Sequence, residues 1–264
     1  MSVHVLEEVT IVTPLGVKFL DESTLAVVSD DLIVTLHPDG IPDWKSRGIV
    51  NRSGVIVFND LPGMRDALRG AGDAAFWAAQ PPRFDFVLEV TDRAGRFLPY
   101  RLALQLPARG LLTLPVASSL DPREGLPLFS APSRETPEAM AVVRTELVDA
   151  VHGGPAAWAL VEARTESSLV RGLADARGSV MLALAYPPPH IVLGSLPGGG
   201  ADLRLQTWNV DLTIRYARRD PVPQRPDLED ILTQPIASTT SATLRFGQEL
   251  VLAPISITPA ATPP

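Results

Sequence analysis

Among residues that carry acid–base, nucleophilic or metal chemistry, this 264-residue chain has 4 His, 0 Cys and 30 Asp plus Glu. His4, His37, His152 and His190 are far apart, and none has a second histidine at a spacing that suits a metal. Without cysteine there is no disulfide framework, no cysteine-ligated zinc or iron–sulfur site and no thiolate nucleophile. No G-x-S-x-G elbow occurs, and no histidine lies near a Ser/Asp pair that would make a triad. Asp30-Asp31 and Glu146/Asp149 are the candidate carboxylate pairs. Neighbouring strand residues point to opposite faces, so adjacent acids in a strand do not converge on their own. The turn aspartates Asp39, Asp92 and Asp175 could offer oxygens to calcium, but a calcium site needs several oxygens from one loop, and no EF-type loop is visible. Gly198-Gly199-Gly200 lacks the Lys-Ser/Thr of a phosphate-binding loop and reads as a hairpin loop. His37 and His190 flank prolines at strand ends, where a solvated turn histidine is the ordinary case. The expectation is a chain with no catalytic residues, no metal and no cofactor, and not an enzyme.

Composition narrows the partners. A formal charge of −7 argues against a general nucleic-acid or anionic-membrane binder. A hydrophobic share of 45% fits a globular chain. Lys18 and Lys45 are the only lysines among 23 basic residues. Codon bias in a GC-rich genome accounts for that; the functional alternative is that guanidinium forks make bidentate contacts that lysine cannot. Met1–Glu8 has no basic n-region and no apolar h-region, so cytoplasmic synthesis without a Sec signal is expected. Apolar runs such as Val180–Tyr186 are far too short to span a bilayer. Asn51-Arg52-Ser53 fits the glycosylation sequon, and without a secretory signal it reads as chance.

The elements that would position any site read as strands and turns. Glu8–Thr13, Asp31–His37, Gly54–Phe58 and Phe84–Val90 are short β-branched or alternating runs. In the last, Phe84, Phe86, Leu88 and Val90 share a face. The turn Thr91–Gly95 leads into Phe97–Leu106, with Tyr100, Leu102, Leu104 and Leu106 inward, which makes a β-hairpin. A second series runs through Ala141–Val148, Ala157–Ala163, Ser168–Arg171, Ser179–Tyr186 and Asp202–Tyr216. In the last of these, Trp208, Val210, Leu212, Ile214 and Tyr216 mark the core face. The expected fold is all-β: two antiparallel, Ig-like or prealbumin-like β-sandwiches and an extended Pro-rich tail. The expected bounds are a first sandwich over 1–117 with a helical or loop insertion near 64–80, a Pro-rich linker over 118–137, a second sandwich over 138–218 and a tail over 219–264. In the linker Pro122, Pro127, Pro132 and Pro137 favour an extended path, with Leu126, Leu128 and Phe129 docked on a domain surface. The tail is expected to hold a short helix capped by Asp227 and a last strand or hairpin over Leu244–Leu252.

Two resemblances rest on this turn grammar. Val142–Asp149 followed by Gly153–Glu162, with Arg171–Val180 as a later turn, resembles the opening of a carboxypeptidase-regulatory-like (transthyretin-like) domain. Gly172-Leu173-Ala174 replaces the usual Thr of that later turn. Asp175 can brace the turn and Gly178 can take a positive φ there. Ser53–Gly63 echoes the same cadence, so tandem modules are implied. The combination of Ser53–Gly63, Phe86–Gly110, Leu126–Pro132 and Pro226–Pro235 resembles proteins encoded beside phage-tail-like contractile injection systems. That resemblance implies a non-enzymatic, baseplate-associated component whose partners are other subunits of the particle, released on lysis.

Two candidate docking elements stand out. Leu228, Ile231 and Leu232 form an apolar cluster within Pro-rich chain, either for a partner or for the chain's own domain. Phe76 and Trp77, in the Ala-rich insertion, either cover a sandwich edge or meet a partner. The alternative function is an accessory binding module for a carbohydrate or cell-surface ligand, which would show aromatics on one exposed strand face. Trp44, Trp77, Trp158 and Trp208 are scattered, and an aromatic share of 6% lends that alternative little support.

Overall fold

The computed structural model describes residues 13–59, 61–65, 74–108, 110–112, 125–137, 139–188 and 206–259. The chain is all-β. It divides into two compact units: Met1–Phe19, Val27–Val90 and Leu102–Leu126 form one, and Leu20–Ala26, Thr91–Arg101 and Pro127–Pro264 the other. All of the expected strand Glu8–Thr13 except Thr13 lies outside the described residues, as do the glycine triplet at 198–200, residues 66–73 and residues 118–124.

In chain order the early strands are β1 (Gly16–Val17), β2 (Phe19–Asp21), β3 (Val27–Val28), β4 (Leu32–Pro38), β5 (Ser46–Arg47), β6 (Ile49–Val50), β7 (Ile56–Val57), β8 (Phe84–Asp92), β9 (Tyr100–Leu106) and β10 (Leu126–Leu128). Within the first unit β1-β7-β6 form one small sheet, and β5-β4-β8-β9 form another. Val34 and Leu36 on β4, and Phe86, Leu88 and Val90 on β8, are buried at period 2. Phe84, expected on that same face, is exposed at the strand's start and packs towards Gly63. The β8–β9 pairing confirms the expected hairpin. Its strand begins at Tyr100, and Phe97 instead bridges Ser130.

The later strands are β11 (Met140–Asp149), β12 (Gly154–Pro155), β13 (Leu160–Arg164), β14 (Leu169–Leu173), β15 (Ser179–Ala185), β16 (Thr207–Arg215), β17 (Ile236–Arg245), β18 (Leu250–Val251) and β19 (Ile255–Ile257). One sheet has the order β14-β13-β16-β17; the other is built on β11, flanked by β15 and β12, with β18 and β19 joining β11 in parallel. Their inner faces share a core that includes Val143, Leu147, Val161, Leu182, Val210, Leu212, Ile214 and Leu244. The β16 residues read as the core face are all buried. Gly178 has φ +80, and a Cβ there would sit 2.4 Å from the Leu147 carbonyl oxygen, so this turn requires glycine.

Two segments differ from expectation. Leu126, Leu128 and Phe129 are fully buried, in line with the expected docking, but Leu126–Leu128 is a strand and not only an extended linker segment. Pro127 does not forbid this, because a proline is tolerated on a strand edge that needs no N–H there. The segment read as an extended tail supplies β17, β18 and β19 to the second unit's sheets. It is fastened by Trp158, whose Nε1 donates to the Pro223 carbonyl at 2.9 Å and whose carbonyl accepts from Gln234 Nε2 at 3.0 Å.

Candidate interaction surface

β17 is the outermost strand of its sheet, and apart from a bulge at Ala237 it pairs with β16 from end to end, on one side only. Phe246 N donates to Gln206 O at 3.2 Å, which makes 206/246 a hydrogen-bonded pair. Such pairs alternate in an antiparallel ladder, so Leu244, Ala242, Thr240 and Ser238 turn their N–H and C=O towards β16. Thr239, Ser241 and Thr243 therefore turn theirs outward. Among the described residues nothing bonds those outward groups. Thr239, Thr240, Ser241 and Thr243 are exposed, and no charged side chain occurs from Ile236 to Leu244. The regular ladder is bounded by a bulge that leaves Ala237 unpaired, between Ile214–Ser238 and Arg215–Ile236, and by the turn at Phe246-Gly247.

That turn opens onto a shallow groove of about 340 Å³ lined by Thr136, Met140, Tyr186, Phe246 and Glu249, among others. Tyr186 and Phe246 form its aromatic wall, with ring centroids 4.7 Å apart at 42°, and Trp208 backs Tyr186 at 5.6 Å. The Tyr186 hydroxyl accepts the Gly247 N–H at 2.9 Å, which fixes the wall to the turn. Glu249 is paired with Arg144 at the rim. Trp208 and Trp158 are core residues, as expected.

Asp39, Asp92, Asp149 and Asp175 brace local structure, and His37, expected to be a solvated turn histidine, is buried; His4 and His190 lie outside the described residues. Asp92 accepts the Arg96 N–H at 2.6 Å and two guanidinium N–H groups of the same residue. Asp175 accepts N–H groups from Arg177 and Ser179, and Asp39 accepts from Gly40. Among the described residues no group of three or more His, Asp or Glu side chains could hold a metal. Asp149 is buried, and Glu146 does not join it. Its carboxylate accepts the N–H groups of Val151 and His152, lies 3.0 Å from His152 Nδ1, and accepts the Tyr216 hydroxyl at 3.3 Å.

Burial alone would raise the Asp149 pKa, but the His152 ring and the two N–H donors outweigh it and hold the carboxyl below its ordinary value. The same burial, with Asp149 beside it, raises the Tyr216 phenol. A depressed folded-state value contributes stability that is fully present above the unfolded value of 3.8 and is lost as pH falls through the folded one. Asp149→Asn is therefore expected to cost about 1–3 kcal/mol at neutral pH. Urea midpoints of the two proteins should converge below pH 3.8. A gap that stays constant with pH would remove this role.

The predicted docking residues are placed as follows. Asp227 caps the helix Leu228–Leu232 as expected, its side chain accepting Glu229 N–H. Leu228 and Ile231 are fully buried within the protein, and Leu232 is half-buried. Phe76 and Trp77 lie on the helix Ala74–Ala78, half-buried, with rings edge to face at 5.2 Å. The β17 edge was missed in the sequence because an edge strand with one buried side chain, Leu244, has no alternating apolar signal.

No family model matches the chain, and no curated protein does. Among solved structures, the TIE protein of Bacillus anthracis aligns with TM-score 0.28 and 9% identity, over 92% of this chain and 34% of that one. The chain thus spans about a third of that protein's length. An E139A mutant of the shaft pilin SpaA from Lactobacillus rhamnosus GG aligns with TM-score 0.25 and 10% identity, over 95% of this chain and 98% of that one. GBS52, the minor pilin of Streptococcus agalactiae, aligns with TM-score 0.25 and 8% identity, over 95% and 98%. These likenesses are too distant to carry an argument, and the architecture described above rests on this chain's own strand order.

Proposed function

We propose that this chain is a non-catalytic structural protein that works through protein–protein contacts, with the outer edge of β17 as its docking element. The observation that carries this is the undefended edge. Free strand edges pair with other chains, and proteins that must stay apart blunt them with Lys, Pro, bulges or inward charges. From Ser238 to Leu244 this edge has none of these. The sequence resemblance supports a place among the baseplate-associated subunits of a contractile injection particle; that placement rests on the resemblance alone.

The test is purification of the tagged full chain from its own host, beside a Ser241→Pro variant. The Pro ring removes an outward N–H and leaves the bonds to β16 intact. The expected result is sheath and tube proteins with rod-shaped particles from the wild type, and their loss from a variant with unchanged near-UV dichroism. Identical eluates would overturn the edge as the docking element, and an eluate without particle proteins would overturn the particle.

A second reading, an accessory ligand-binding module, is favoured by the Tyr186–Phe246 wall of the groove. It expects glycan-array binding that Tyr186→Ala removes and Ser241→Pro leaves in place.

A further inference from the structure

We infer that the occupant of the β17 edge is a second copy of this chain, paired antiparallel across a two-fold axis at Ser241 so that the two β14-β13-β16-β17 sheets become one. The inference rests on the assembly reading above and names the partner of that same edge.

The geometry of a two-fold strand pair is restrictive. A two-fold axis perpendicular to a sheet passes through a pair of facing residues, so one residue must face its own copy. The ladder is regular from Ser238 to Arg245, between the Ala237 bulge and the Phe246-Gly247 turn. Ser241 lies in the middle of the uncharged part of that span, and its N–H and C=O point outward. With the axis there, Ser241 meets its own copy and Thr239 meets Thr243, both as hydrogen-bonded pairs. Thr240 then meets Ala242, and Ser238 meets Leu244. From Ser238 to Leu244, every residue that presents outward backbone groups is matched to one that does the same.

The side chains match as well. The face carrying Thr239, Ser241 and Thr243 would set Thr against Thr and Ser against Ser, cross-strand pairs that hydrogen-bond through their hydroxyls. Like charges facing across a two-fold axis are what normally prevents self-pairing, and this span has no charge before Arg245. It also has no large apolar side chain facing out that would select a different partner by its pocket. Self-complementarity and neutrality fit an isologous contact with a second copy better than an asymmetric one with an unlike chain.

The experiment uses the full chain. Sedimentation equilibrium over a concentration series should show a reversible monomer–dimer equilibrium. Hydrogen exchange of the Thr239, Ser241 and Thr243 amides should slow as concentration rises, while the Thr240 and Ala242 amides, already bonded to β16, should not respond. Ser241→Lys and Ser241→Glu should each weaken dimerisation several-fold, because each sets like charges face to face at the axis. Mixing the two variants should restore a heterodimer, which only a contact that brings Ser241 to its own copy produces. A monomer at every concentration whose outward amides are already slow would mean that the chain's own residues cover the edge, and would overturn the inference. A monomer with fast outward amides would also overturn it. If that monomer still captures sheath and tube proteins in a manner sensitive to Ser241→Pro, the assembly reading stands and only the second copy falls.

Discussion

Truncation after Arg225 is expected to abolish cooperative melting of the second unit. The deleted segment contains β17, which apart from the Ala237 bulge pairs with β16 from end to end, and β18 and β19, which lie along β11. Their loss would bare both β16 and β11, each central in its sheet. It would also uncover apolar side chains, since Leu228, Ile231, Leu244 and Ile257 leave fully buried positions. At roughly 2–5 kcal/mol for each large aliphatic side chain removed from a core, four such losses come to about 8–20 kcal/mol, as large as the roughly 5–15 kcal/mol stability of an ordinary domain. Trp158 would lose the Gln234 side chain that satisfies its carbonyl, and the Pro223 carbonyl that accepts its indole N–H would lie two residues from the cut end. Near-UV circular dichroism, which reports the packing of Trp158 and Trp208, is the direct measurement. A truncated chain that keeps its aromatic signal and a sharp transition would show that residues 226–264 are an appendage.

The contrast between β16 and β17 shows what was legible. In β16, Trp208, Val210, Leu212 and Ile214 alternate with Asn209, Asp211 and Thr213, and period 2 with a buried face reads directly as a strand. In β17 the same geometry is carried by Ile-Ala-Ser-Thr-Thr-Ser-Ala-Thr-Leu-Arg, whose only buried residue is Leu244. Its strand conformation comes from the register imposed by β16, a tertiary cause that leaves little local trace. Leu126-Pro127-Leu128 was legible in part: its extended path and the docking of its leucines could be read, but the proline spacing hid that it is a buried strand. Asp227 as a helix cap and Gly178 at positive φ were legible because both are local requirements of backbone geometry. The candidate site was the least legible part. What distinguishes it is unpaired backbone, and every residue type except proline presents the same N–H and C=O.

Arg134→Met is expected to cost about 3 kcal/mol or more, since removing one partner of a buried ion pair strands the other charge. The two Arg134 terminal nitrogens each donate to one Asp21 carboxylate oxygen, at 3.1 and 2.7 Å, and Nη1 also donates to Ser130 Oγ at 2.8 Å. The guanidinium stacks 4.7 Å from the Phe97 ring centroid. Asp21 is 3% exposed, so without Arg134 its charge would have little access to water. Its adjacent residue repeats the arrangement: Glu22 accepts two N–H groups of Arg171, at 2.8 and 3.4 Å. Asp21 ends β2 and Glu22 opens the turn that follows it, and the two neighbouring acids reach two different arginines. The arginine bias is thus put to use at two forks that lysine could not reproduce. Burial alone would raise the Asp21 pKa; the Arg134 bonds and charge, with the Ser23 N–H and the Thr24 hydroxyl, outweigh it and hold the carboxyl below its ordinary value. The pair's contribution is therefore complete above the unfolded value of 3.8 and fades as pH falls through the folded one. Asp21→Leu combined with Arg134→Met should cost much less than the sum of the two single changes, because no stranded charge remains. Additive losses in that double-mutant cycle, measured by urea denaturation at neutral pH, would show that the fork is incidental to stability and that loop 20–26 is held by its backbone bonds, such as Glu22 N–H to Leu128 O at 3.1 Å.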